Sequence, residues 1–164
     1  MIIRTLVLVA GLSGALGAAQ FPAYSQQYMQ RLGGAVDALA VVVANFDASA
    51  RAVGLSRQEA LAQMTGTPFM ERRRADMTAS IARHDALRED LSVLQGQGPF
   101  MRAYHAARLT DPQIARGALT AFEPALPLNV VTGIFAAFGF LAAGGAVAFV
   151  LTFARPRQRQ PLPA

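Results

Sequence analysis

VVTGIFAAFGFLAAGGAVAFVLTFA, residues 130–154, carries no charge along its whole length. Wound as a helix at 1.5 Å per residue it is roughly 37 Å long, enough to cross the hydrocarbon of a bilayer with some tilt. Arg155, Arg157 and Arg159 follow at once. Arginines beside an apolar span hold their side of it in the cytoplasm. The stretch therefore predicts a C-terminal transmembrane helix (130–154) followed by a basic cytoplasmic tail (155–164).

The other end of the chain is apolar as well. Residues 1–19 hold a single charge, Arg4, and end in Gly17-Ala18-Ala19. This pattern fits either a cleavable signal peptide or a short membrane anchor of about 27 Å. Small residues recur at helical spacing, with Gly11, Gly14, Ala15 and Ala18 in the first span and Gly139, Ala143, Gly144 and Ala148 in the second. Such spacing lets two helices approach backbone to backbone. Packing of the spans on each other accounts for both sets and favours a retained anchor, and Arg4 with the three C-terminal arginines predicts that both termini are cytoplasmic.

Composition agrees with this division. Hydrophobic residues make up 53% of the 164-residue chain and charged residues only 15%, below the roughly 25% usual in soluble domains. Cysteine is absent, which removes disulfides and thiolate metal sites. The formal net charge is +5. Four of the fifteen arginines lie in the tails (Arg4, Arg155, Arg157, Arg159), leaving eleven against ten acidic residues between the spans. A nearly neutral middle argues against nucleic-acid binding.

Between the spans, residues 20–129 read as an all-α periplasmic domain. Leu32, Ala35, Leu39, Val43, Phe46, Ala50 and Val53 alternate by three and four, predicting one long helix over 23–53 with a coiled-coil-like seam. Gly54 stops it. Ser56 and Glu59 form a capping box for a short helix to about Met64. After Gly66, Thr67 caps a third helix with Pro68 in its first turn. Its stripe is Met70, Met77, Ile81, His84, Leu87, Leu91 and Leu94. Gly96-Gln97-Gly98-Pro99 ends it, and shorter helices are expected over 99–108 and 112–121, the latter capped by Asp111. Residues 122–128, with two prolines, predict an extended lead-in to the second span. The two long helices have nearly equal lengths, roughly 46 and 42 Å. They suggest an antiparallel hairpin standing on the membrane, with residues 54–74 at its tip.

Two segments stand out as binding candidates. Gln27, Tyr28, Arg31, Gly33 and Gly34 lie just past the first span, where Phe21, Tyr24 and Tyr28 suit an interfacial aromatic belt. Two glycines within a helix cost about 1 kcal/mol each relative to alanine. Close approach by another helix is the usual reason for them, from a protein partner, a second copy or the domain's own short helices. The second candidate is Arg72-Arg73-Arg74 at the hairpin tip, on the order of 40 Å from the bilayer. An acidic envelope partner could meet it there, or it could be a solvated first turn paired with neighbours such as Asp76. His84 falls on the apolar stripe and reads as a core histidine.

No metal-ligand spacing, nucleophile motif, phosphate loop or dinucleotide fingerprint is present. The expectation is therefore a non-enzymatic membrane accessory protein with no cofactor or metal, its partners being the bilayer and a membrane or envelope protein. An envelope sensor is one alternative, weakened by the short tail. An unrecognised enzyme site around Arg31, His105 and Glu123 is another.

Gln26-Gln27-Tyr28, Gln30-Arg31-Leu32-Gly33-Gly34 and Asp37, together with Phe122-Glu123-Pro124-Ala125-Leu126-Pro127-Leu128 and Gly133, resemble an uncharacterised bacterial family, domain of unknown function 2937. The resemblance implies a small inner-membrane protein and brings no activity, cofactor or catalytic residue with it.

Overall fold

The computed structural model describes residues 2–124 and 129–153, and every regular element among them is helical. In chain order these are α1 (Ile2–Ala19), α2 (Phe21–Ala52), α3 (Arg57–Gln63), α4 (Pro68–Leu94), α5 (Pro99–Tyr104), a 3-10 turn (Ala106–Arg108), α6 (Pro112–Thr120) and α7 (Val130–Phe153). The arginine tail and most of the proline-containing lead-in lie outside the described residues. The chain divides into two compact units, one made by its two ends and the other by Tyr24–Phe122.

The first unit is the pair α1 and α7. Both helices are long and apolar enough to cross a membrane. They run antiparallel, because Val7 and Gly11 meet Gly144 whereas Gly14 and Ala18 meet Gly139. Their backbones touch where Gly14 faces Gly139, and a Cβ on either residue would collide with the other's carbonyl oxygen. At Gly11 a Cβ would lie 2.7 Å from the ring of Phe140. These are the small residues whose spacing suggested close packing. Phe21 stacks on Phe135 with ring centroids 5.4 Å apart. Pro22 in the first turn of α2 has no N–H for the carbonyl of Ala18, and the helix breaks at Gln20.

In the second unit the expected caps are present. The Ser56 hydroxyl accepts the Glu59 N–H while the Glu59 carboxylate accepts the Ser56 N–H. The Thr67 hydroxyl accepts the Met70 N–H, and the Asp111 carboxylate accepts the N–H groups of Gln113 and Ile114. Gly54, Gly66 and Gly96 adopt φ of 76°, 93° and 77° at the three turns, a backbone region that L side chains resist. α2 and α4 run antiparallel within this unit. Ala35, Ala38 and Leu39 share a groove with Ala79, Ser80 and Arg83, while Met29, Gln30 and Gly33 share one with Leu91 and Gln95.

Three expectations change. The buried positions of α2 are Ser25, Tyr28, Leu32, Val36, Val43 and Ala50, so Val36 displaces Ala35 from the seam. Val53 lies past the helix end and is 69% exposed. On α4 the buried residues are His84, Leu87 and Leu94, so this helix is anchored through its second half. The helix expected over 99–108 is interrupted at His105, whose ψ of 26° turns the chain into the 3-10 segment.

Candidate functional site

Gln27, Tyr28 and Arg31 sit at i, i+1 and i+4 on α2, and all three are engaged by α6. Tyr28 has no solvent exposure. Its phenol oxygen accepts the backbone N–H of Asp111 at 3.1 Å. Burial pushes its pKa above the ordinary tyrosine value, outweighing the opposing effect of that hydrogen bond. Asp111 is a junction in its own right. Its carboxylate caps α6 and also accepts from the Arg83 guanidinium on α4 at 3.2 Å. Tyr28, Arg83 and Asp111 thereby tie α2, α4 and α6 at one point.

The Gln27 amide, oriented by its hydrogen bonds, donates to the carbonyls of Ala118 and Ala121 at 3.3 Å. The Arg31 guanidinium lies over Gly117, so close that a Cβ there would be 3.0 Å from Nη1. Gly117 is thus a seat for Arg31, a feature that sequence reading missed. The aromatic cluster continues with Tyr24 against Phe122, edge on, with centroids 6.4 Å apart.

Gly33 and Gly34 behave differently. An added Cβ at either position would meet nothing within 4 Å, so among the described residues no helix packs backbone-close against them. They open onto a groove that also includes Met29, Asp37, Leu91 and Arg102. From Gly34 a stripe continues along α2 through Ala38, Val41, Asn45, Ala48 and Ala52, every one exposed. It is uncharged, and it repeats by four and three as a helix-packing seam does.

Arg72, Arg73 and Arg74 are exposed in the first half of α4. Arg72 reaches Asp76 at 3.4 Å across one helical turn, a pair of the solvent-screened kind that contributes little to stability. His84 is a core residue with Nδ1 2.9 Å from the Asp85 carboxylate. His105 packs edge on against the Tyr104 ring. Arg31 is committed to Gly117, and Glu123 belongs to the other unit. Among the described residues no group of three or more His, Asp and Glu side chains could hold a metal ion.

The family model for protein of unknown function (DUF2937) matches residues 2–160. The chain belongs to that family. The DUF2937 match includes both apolar helices and the whole helical unit between them. No curated protein and no solved structure matches the chain.

Proposed function

We propose that this DUF2937 protein is an integral membrane protein of the bacterial inner membrane. In this reading α1 and α7 span the bilayer, both termini are cytoplasmic, and Tyr24–Phe122 is a periplasmic helical hairpin that binds an envelope partner without catalysing a reaction. The observation that carries the reading is the outward surface of the α1–α7 pair. Only 11% of each apolar window is buried. Leu8, Leu12, Phe138, Leu141 and Phe149 all point outward. Apolar area on this scale drives association in water and is at rest in lipid. The helices bury their small residues against each other and leave the large ones for the acyl chains, the usual economy of membrane helices.

Orientation rests on charge. The antiparallel pair brings the Arg4 end of α1 beside the Phe153 end of α7. Arg155, Arg157 and Arg159 follow Phe153 in sequence, and the positive-inside rule applied to the arginines flanking the two spans makes that end of the pair cytoplasmic.

The binding role rests on the unoccupied stripe that starts at Gly34. Gln27, Tyr28 and Arg31 are consumed in holding α6, which leaves this face of α2 as the surface where a partner helix or a second copy could pack.

A reporter inserted at Gly66 is expected to be active in the periplasm, and the protein is expected to resist alkaline carbonate extraction. A cytoplasmically active reporter, or an extractable protein, would overturn the membrane reading. A photo-crosslinker at Ala38 or Val41 should trap a defined membrane protein or a second copy in native membranes. A crosslinker at the buried Ala118 should not. Equal silence from both would remove the binding role.

A further inference from the structure

One groove of the helical unit holds two opposite charges that do not meet. It has a volume of about 490 Å³ and lies between α2, the end of α4 and α5, with Asp37 and Arg102 both in its lining. Among the described residues, neither of them takes part in a salt bridge. One edge of Arg102 is held. Its Nη1 donates to the Gln26 side chain at 2.8 Å, while its buried Nε has no hydrogen-bond partner among the described residues. A buried donor left unmade is costly, the more so on a charged group. The edge formed by Nε and Nη2 has the fork geometry that matches a carboxylate.

The rest of the lining suits a peptide main chain. Gln26, where Arg102 is fixed, and Asp37 lie eleven positions apart on α2, roughly 16 Å along its axis. An extended peptide advances at most about 3.5 Å per residue, so about four residues, with the reach of the two side chains, span the distance between the charges. Between these ends, Gln30 and Gln95 line the groove, and their amides offer the donors and acceptors that pair with a peptide backbone. Gly33 and Gly34 line it without side chains, and a Cβ on either would meet nothing within 4 Å. That leaves α2 bare where a bound main chain could lie against it. Asp37 would repel a lone carboxylate and Arg102 a lone ammonium, so charge selects a molecule that carries both.

We infer that this groove binds a short zwitterionic peptide of about four residues, its terminal carboxylate on the Nε–Nη2 edge of Arg102 and its terminal ammonium at Asp37. Gln30 and Gln95 hold the main chain between them, and Gly33 and Gly34 form the floor. The inference stands on the groove within the helical unit, and needs neither the membrane reading nor a partner on the α2 stripe.

Full-length protein in nanodiscs, with its arginine side chains labelled for NMR, would be titrated with tetra-alanine bearing free termini. Binding is expected at millimolar concentration, with the Arg102 Nε–H signal moving downfield as it gains an acceptor. Amidating the carboxyl end or acetylating the amino end should each weaken binding about tenfold or more, the loss of one charge-assisted hydrogen bond. Di-alanine, too short to reach both charges, should bind no better than the capped peptides. Two variants locate the ends. Arg102→Gln should bind tetra-alanine and its amide equally, and Asp37→Asn should bind tetra-alanine and its acetylated form equally. Circular dichroism would verify that each keeps its helix content, and Asp37, being exposed, keeps the test decisive should Arg102→Gln fail to fold. Tetra-alanine that does not bind, or binding by the native protein that is indifferent to either cap, overturns the inference.

Discussion

The Tyr28 phenol oxygen on α2 sits 3.1 Å from the Asp111 backbone nitrogen and accepts its hydrogen, joining residues 83 positions apart in the chain. Removing that hydroxyl leaves the Asp111 N–H without its acceptor. Tyr28→Phe keeps the ring in its buried site, so the loss should be that of one hydrogen bond, about 1 kcal/mol. Tyr28→Ala adds a cavity and should cost about 3–5 kcal/mol, as large aromatic truncations do. Thermal unfolding of the full-length protein in detergent orders the two variants.

The same residue sets an alkaline limit. Burial raises the Tyr28 pKa in the folded state, so the fold binds this proton more tightly than the unfolded chain does. The corresponding stability is fully present below the unfolded tyrosine value of about 10 and is lost as pH rises through the higher folded value. Unfolding followed from pH 8 upward should show a loss beginning near pH 10. Tyr28→Phe should flatten that component, and an unchanged profile would count against it.

An acidic counterpart lies at the α2–α3 turn. The Arg57 guanidinium grips the Asp47 carboxylate with two hydrogen bonds, of 2.7 and 2.6 Å. It holds the Asp47 pKa below the ordinary carboxylate value. A depressed folded pKa means that the contribution exists above the unfolded value, about 3.9, and disappears as pH falls through the lower one. The protection factors for hydrogen exchange over 56–63, taken relative to the intrinsic rate at each pH, should therefore fall at acid pH in the native protein. In Asp47→Asn they should already be lower at neutral pH.

The α1–α7 contact separates glycines by role. Gly139→Leu forces a side chain against the Gly14 carbonyl and the Ala18 methyl. Overpacking of that kind costs about 1–3 kcal/mol or more. A Cβ added at Gly17 meets nothing within 4 Å, and Gly17→Leu should be tolerated. Thermal denaturation in nanodiscs distinguishes the two, and equal behaviour would contradict the close contact.

Gly33 and Gly34 carry the opposite sign. Because a Cβ at either position is unopposed, alanine should stabilise α2 by about 1 kcal/mol per site through helix propensity. A rise in melting temperature, together with loss of the crosslinks expected from the α2 stripe, would assign these glycines to a partner and not to the fold.

The chain's local grammar is legible in the sequence. Ser56 with Glu59, Thr67 with Pro68, and Asp111 with Pro112 act over three or four residues, and each capped the helix it was expected to cap. The turn glycines and the two apolar spans were equally plain, because a positive φ and a length in lipid are properties of a few consecutive residues. The candidate site was less legible. Gln27, Tyr28 and Arg31 stood out as an unusual cluster, yet their use depends on α6, which arrives from far along the chain. Nothing within residues 26–34 distinguishes side chains that hold a neighbouring helix from side chains that await a partner.

Sequence by itself determined the helices, their ends and the two spans long and apolar enough for a bilayer, since hydrogen bonding, capping and hydropathy act along the chain. Tertiary structure decided which face of α2 is spent. A periodic pattern fixes which residues share a stripe, while the phase that is buried depends on what packs against it. Here that choice exchanged Ala35 for Val36, seated Arg31 on Gly117, and left the stripe from Gly34 to Ala52 open.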